Sequence, residues 1–213
     1  MKIHFGAPPQ DPDFHPERDG WTKLREPDPI FLQIIATPVA ILNLAILLAA
    51  WFALAWFQPR SMPIFDWTGN SNPWPALISS FSLSSIIVGI PMLITAHELT
   101  HAIGYPGSLR TDQTLIGIWP AKFLFYASHS GSVSRNRFLV VSILPLLALT
   151  VLPLVGSALS QHTHIGLAAM SIVNGTFACG DQVVAAIVAW QVPRKAIVRN
   201  QGWQTWWKVP DYH

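Results

Sequence analysis

Four long apolar blocks constrain this chain more than any other feature. Ile30 to Phe57 has no charged residue, Ala76 to Tyr105 carries only Glu98 and two histidines, Phe138 to Ser160 has none, and His164 to Trp190 carries only Asp181. Each is long enough to cross hydrocarbon, which takes about 20 helical residues. Composition agrees: the chain is 51% hydrophobic and 11% charged, against roughly 25% charged for an average soluble domain. These features exclude an ordinary soluble globule and predict an all-α multi-pass membrane protein with about four transmembrane helices.

The blocks also set the organisation of the chain. Residues 1–29 form a polar, proline-rich segment (Pro8, Pro9, Pro12, Pro16, Pro27, Pro29), expected to be a loosely ordered tail. Residues 30–190 form the four-span domain, and residues 191–213 a basic and aromatic tail. The first block is too long, and starts too far from Met1, to be a cleavable signal peptide. Cys179 is the single cysteine and falls in a spanning block, so no disulfide framework exists. A net charge of +2 is too small to argue for a nucleic-acid partner.

Basic residues are retained on the cytoplasmic side. Lys2, Arg18, Lys23 and Arg25 precede the first span, Arg110, Lys122, Arg135 and Arg137 separate the second from the third, and Arg194, Lys195, Arg199 and Lys208 follow the fourth. The first outer loop holds only Arg60. Both termini are therefore expected in the cytoplasm of a cell-membrane protein. Tryptophans prefer the bilayer interface, and Trp51, Trp56, Trp67, Trp74 and Trp190 fall where this layout puts it.

Two stretches outside the spans carry structural signals. "TLIGIWPAKFLFYASHSGSVSRNRF", between spans two and three, is too apolar for a solvated loop and is interrupted by Gly117, Pro120 and Gly131. It predicts a small membrane-associated hairpin or re-entrant element. "AIVRNQGWQTWWKVP" mixes basic and aromatic residues around a turn at Gln201-Gly202. Either an interfacial strand pair or a membrane-surface tail accounts for it.

Chemistry concentrates at "LITAHELTHAIGYP", residues 93–106. A carboxylate at the bilayer centre costs ~2.5 to 3.5 kcal/mol on insertion scales, and the only acidic residues in the four spans are Glu98 and Asp181. His97, Glu98 and His101 make H-E-x-x-H. On a helix two histidines four apart share one face and can share a tetrahedral zinc, and the glutamate beside the first is placed to work on metal-bound water. A plainer alternative is a pair of interhelical histidines bonded to neighbouring carbonyls.

A catalytic zinc usually takes three protein ligands. No glutamate follows Glu98, and the extended form H-E-x-x-H-x-x-G-x-x-H ends here on Gly107 instead of histidine. Asp181, His129, His162, His164, Asp112, Asp211 and His213 remain. Spans two and four run in the same direction, and at 1.5 Å per residue His97 lies roughly 10 Å, and Asp181 roughly 14 Å, from the inner end of its own span. Asp181 is favoured as the third ligand. It also shares a small and polar stripe with Asn174, Ala178 and Ala185, which suits close packing against the helix of the histidines.

With "HELTHAIGYP", "FYASHSGSVSRNRF" and "NGTFACGD" in this order, the chain resembles a family of multi-pass membrane zincin peptidases, and more distantly the site-2-protease clan of intramembrane zinc metalloproteases. The resemblance covers most of residues 76–200. It implies Zn2+ on His97, His101 and Asp181, with Glu98 catalytic and Asn174 at the substrate. Two departures from the site-2-protease pattern stand out: no proline follows Asn174 in the expected place, and glycine precedes Asp181 instead of following it.

The expected activity is therefore hydrolysis of a polypeptide substrate, a membrane protein among the candidates, by zinc-activated water with Glu98 as general base. The rival reading is a zinc-binding or zinc-transporting membrane protein without peptidase activity. Four spans make a small transporter, and spans one and three offer it only Asn43, Gln33 and hydroxyls.

Overall fold

The computed structural model describes residues 2–58, 83–107, 110–161 and 165–210. Arg60, Trp67 and Trp74 of the expected outer loop, the start of the second block from Ala76, His162 and His164, and Asp211 and His213 all lie outside them.

Helix α1 runs from Pro29 to Phe57. Its start is written in the sequence: the Asp28 carboxylate accepts the Ile30 and Phe31 backbone N–H groups at 2.9 and 3.2 Å, and Pro29 opens the helix with no N–H to leave unpaired. Helix α2 spans Leu83–Gly104. Helix α3 (Arg135–Leu146) passes through a π-helical segment, Leu147–Val151, into α4 (Leu152–Ser160), and together they form one apolar run of 26 residues. Helices α5 (Ile165–Phe177) and α6 (Cys179–Gln191) follow.

Among the described residues three helices are long and apolar enough to cross a bilayer, and a fourth crossing exists if α5 and α6 are counted as one. Large apolar side chains such as Ile34, Ile41, Phe52, Ile87, Met92, Leu152 and Leu159 stay exposed along these helices. In water they would make a large sticky surface; in a bilayer they face lipid. The architecture is that of a multi-pass membrane protein.

The fourth block differs from the continuous span expected of it. It breaks at Ala178, and α5 and α6 meet at a bend of 43°. Ala178 N–H still bonds the Asn174 carbonyl at 2.9 Å, so α5 completes its last turn before the break. Gly175 and Gly180 flank the break, and glycine holds a helix less well than any residue except proline.

The chain forms two compact units. The first comprises Met1–Thr37, Glu98–Pro145 and Gly180–His213. It contains two small sheets. In one, β1 (Lys2–Phe5) pairs in parallel with β3 (Thr114–Trp119), which pairs antiparallel with β4 (Leu124–His129), so that β4 is an edge. In the other the order is β2 (Thr22–Lys23), β7 (Gln204–Lys208), β6 (Ile197–Gln201), β5 (Val133–Ser134).

The hairpin expected after the second span is thus β3–β4, in register from Thr114 opposite His129 to Trp119 opposite Leu124. Gly117 is required there: a Cβ would fall 2.2 Å from the Tyr126 ring that crosses it. The hairpin tip, Pro120 to Lys122, ends at Phe123 with φ +50°, an uncommon left-handed conformation for a bulky residue. Phe123 is 89% exposed, and the Gln33 side chain of α1 donates to the Lys122 carbonyl at 3.0 Å.

Of the two readings of the C-terminal stretch, the strand pair is present, with Gly202 at φ +61° in the β6–β7 turn. The N-terminal segment is more ordered than a loose tail. Phe14 and Leu24 are buried, Arg199 pairs with Asp11 and lies 4.0 Å over the Phe14 ring, and Gln191 exchanges two 3.0 Å bonds with the Arg25 backbone. Its composition signals disorder, but the Arg25 backbone and the Asp11 carboxylate are held by partners more than 160 residues away. The core of this unit is Leu24, Tyr105, Val133, Phe138, Val141, Val188, Val192, Ala196 and Val198.

The described residues of the second unit, Pro38–His97 and Leu146–Cys179, are largely helical, with Trp51, Ala55 and Ala168 as an apolar core. The close approach of its helices depends on Gly175, where a Cβ would meet Leu47 at 2.4 Å and Thr150 at 2.9 Å. The Asn43 side chain donates to the Gly175 carbonyl at 2.8 Å, so α1 and α5 are joined by a bond that lipid could not replace.

Candidate metal centre

Helix α2 is unbroken through His97, Glu98 and His101, so the two histidines lie on one face one turn apart. At its end, Gly104 packs so tightly on α3 that a Cβ would sit 2.9 Å from Val141. The Arg137 guanidinium closes the same helix by donating to the Gly104 carbonyl at 2.6 Å. These contacts fix the height of His101 beside α3, where its Nδ1 donates to the Val141 carbonyl at 2.8 Å.

Asp181 stands in the first turn of α6. Because the fourth block breaks, its carboxylate is at a helix N-terminus, where the helix dipole favours negative charge, instead of in mid-helix. His101 Nε2 and Asp181 Oδ1 are 3.4 Å apart. Two atoms each about 2.0–2.1 Å from a tetrahedral zinc are about 3.3–3.4 Å from one another. His97, His101 and Asp181 offer ligand atoms that all lie within 4.8 Å of one another, and among the described residues they form a group able to hold a metal ion.

The surroundings of both histidines suit such an ion. His97 Nδ1 meets the Asn174 side-chain oxygen at 2.9 Å, and His101 Nδ1 meets a carbonyl. Each ring has its Nδ1 engaged by an acceptor, the arrangement that orients a metal-binding imidazole and directs Nε2 to the ion. An interhelical pair bonded only to carbonyls accounts for one of these contacts and leaves the convergence on Asp181 unexplained.

Glu98 is 7% exposed and lines a cavity of about 180 Å³ together with His101 and Asp181. The other walls include Tyr105, residues of edge strand β4 and Trp203 of the β6–β7 turn. Water takes about 30 Å³ per molecule, so the space holds several waters or the reacting part of a peptide.

Two other ligands considered from sequence are engaged elsewhere. His129 is buried, stacks on Tyr105 with ring centroids 4.9 Å apart, and shares a 3.0 Å hydrogen bond with Thr114 Oγ1. Burial and the Arg199 charge lower its pKa. Asp112 is exposed and pairs with Lys2 at 3.4 Å. Asn174 is 1% exposed, with its amide bonded to His97 and Thr150. Sequence reasoning did not reach the Val141 carbonyl or Thr150: a backbone acceptor has no signature, and one threonine in an apolar run carries no signal.

A family model described as "Putative zincin peptidase" (DUF3267) matches residues 90–197, half of the chain and the whole of the metal cluster. The chain belongs to this family. The match takes in the zincin motif on α2, the β3–β4 hairpin and Asp181. No curated protein and no solved structure matches the chain. A zincin-type cluster in a membrane-embedded helical fold is consistent with a metal-dependent hydrolytic role.

The cavity of this zincin-family chain also contains an acid with unusual protonation. Burial pushes the Glu26 carboxyl up to about 7, although the Thr205 N–H and hydroxyl both donate to it. A carboxyl whose folded pKa is raised contributes stability below about pH 4.5 and loses it as pH rises through about 7. Over that interval the wild type is expected to lose about 2–3 kcal/mol more stability than Glu26→Gln, which cannot ionise. Denaturation of the two proteins in detergent at a series of pH values measures this, and parallel profiles would disprove it.

Proposed function

We propose that this chain is a membrane-embedded zinc metallopeptidase of the site-2-protease kind, cleaving polypeptides at the cytoplasmic face of the membrane. The supporting observation is the convergence of His97, His101 and Asp181 with both Nδ1 atoms engaged, which leaves the donor set of a three-ligand zinc site. A zinc ion held there supplies Lewis-acid polarisation of a carbonyl and acidification of water.

The remaining work falls to the chain itself. Glu98, next to His97 and facing the cavity, takes a proton from the attacking water and returns it to the leaving amine. The low exposure of Glu98 keeps bulk water from competing for that proton. Edge strand β4 lines the cavity and offers unpaired backbone groups to which a peptide adds as an extended strand, the shape that exposes a peptide bond to attack. The apolar hairpin tip, tied to the first turns of α1 through Gln33, lies at the membrane surface, so β4 receives its strand beside the bilayer. Both termini are cytoplasmic, following the basic residues.

The protein purified in detergent is expected to hold about one zinc per chain. Elemental analysis of a monodisperse preparation tests this. A folded protein that contains no zinc and takes up none would rule out both the peptidase and the zinc-transport readings.

A further inference from the structure

The two metal-cluster histidines are held by different kinds of partner. The Val141 carbonyl only accepts, so it alone fixes a proton on His101 Nδ1. An amide donates at one end and accepts at the other, so the state of His97 depends on which end of Asn174 it meets. The far side of that amide decides it.

Asn174 Nδ2 lies 2.9 Å from Thr150 Oγ1. The Thr150 hydroxyl spends its proton on the Ser171 carbonyl at 3.1 Å, so towards Asn174 its oxygen accepts. The Ser171 hydroxyl in turn donates to the Thr150 carbonyl at 3.0 Å and accepts from the Trp51 indole N–H, a donor only, at 3.0 Å. With its own proton committed to the Ser171 carbonyl, the Thr150 hydroxyl takes the Asn174 Nδ2–H, which leaves the Asn174 oxygen facing His97 as an acceptor. Trp51, Ser171, Thr150 and Asn174 are all buried. Thr150 sits in the π-helical segment Leu147–Val151, a local widening found often at functional sites. The reverse amide orientation would forfeit the Thr150 bond to Ser171 and place a proton on His97 Nε2, where it would block a ligand bond.

We infer that Asn174 is a positioning residue of the metal site, and that the Thr150 hydroxyl, itself fixed by the Ser171 carbonyl, orients its amide so that His97 is held as the Nδ1–H tautomer with the Nε2 lone pair presented to the metal. This rests on the metallopeptidase reading only in taking His97 as a ligand. It gives Asn174 a role different from the substrate contact implied by the family resemblance.

The test measures zinc affinity of the full chain in detergent by chelator competition. Thr150→Val, nearly isosteric but without the accepting oxygen, is expected to weaken binding about 10- to 100-fold, the usual cost of losing a partner behind a metal ligand, and Thr150→Ser to restore it. Asn174→Asp accepts with either oxygen, so adding Thr150→Val to it should change affinity less than about 3-fold, a loss of coupling that a general packing defect would not produce. Nitrogen NMR of the zinc-free wild type labelled in histidine, with His97→Ala for assignment, reads the tautomer without any substitution in the relay and is expected to show Nδ1–H. An Nε2–H tautomer, or wild-type affinity in Thr150→Val beside lost affinity in His97→Ala, overturns the inference and leaves the metal site standing. Undiminished zinc affinity in His97→Ala overturns the metal site itself.

Discussion

Glu98→Gln is expected to retain zinc at the wild-type level and to cut peptide hydrolysis by about 10²- to 10⁴-fold. The amide preserves the size of the side chain in its buried place on α2 and removes only the ability to take a proton. Glu98 lies outside the cluster of possible ligands, so metal content should not follow activity down. The measurement is paired: bound zinc in purified protein, and membrane-protein fragments in whole cells carrying each form. Fragments that vanish while zinc persists are the expected outcome. Identical fragment patterns with altered zinc flux across the membrane would replace the peptidase with the transporter.

Asp181→Ala is expected to cost zinc affinity more than the roughly 10- to 100-fold of an outer-shell loss, because it removes a ligand outright. It should release zinc to a chelator that the wild type resists, whereas His129→Ala should leave metal binding unchanged. His129 makes its contacts with Tyr105 and Thr114, away from the cluster. Asp181→Asn provides a shape-matched comparison in which the negative charge at the start of α6 is lost while the side chain remains. Full affinity in Asp181→Asn together with loss in His129→Ala would move the third ligand to the hairpin.

Several features were legible because their causes are local in the chain. The hairpin between the second and third blocks announces itself as an apolar stretch interrupted by Gly117, Pro120 and Gly131, and the β6–β7 pair by its turn at Gln201-Gly202. The order of the N-terminal segment is not legible in this way, because its cause is not local. Its composition is that of a tail, but its order comes from Arg199, Gln191 and Thr205 at the other end of the chain, which pair with Asp11, Arg25 and Glu26. Composition measures how little apolar surface a segment can bury by itself. It does not register partners supplied by a distant strand.

The sequence by itself determined the solvent of this protein and the first two members of its candidate metal cluster. Apolar blocks long enough to cross hydrocarbon leave a chain no other medium, and a four-residue spacing aligns His97 with His101 on any helix. It narrowed the third member to Asp181 by depth, but the 3.4 Å approach to His101 depends on the break between α5 and α6, which sets the carboxylate at a helix start. Tertiary structure also decided which atoms hold the histidine rings: an amide 77 residues from His97 and a carbonyl 40 residues from His101. Helical periodicity acts over a few residues and so appears in the sequence as spacing. Hydrogen bonds between helices depend on packing at a few glycines such as Gly104 and Gly175, whose closeness to Val141 and Thr150 exists only once the chain has folded.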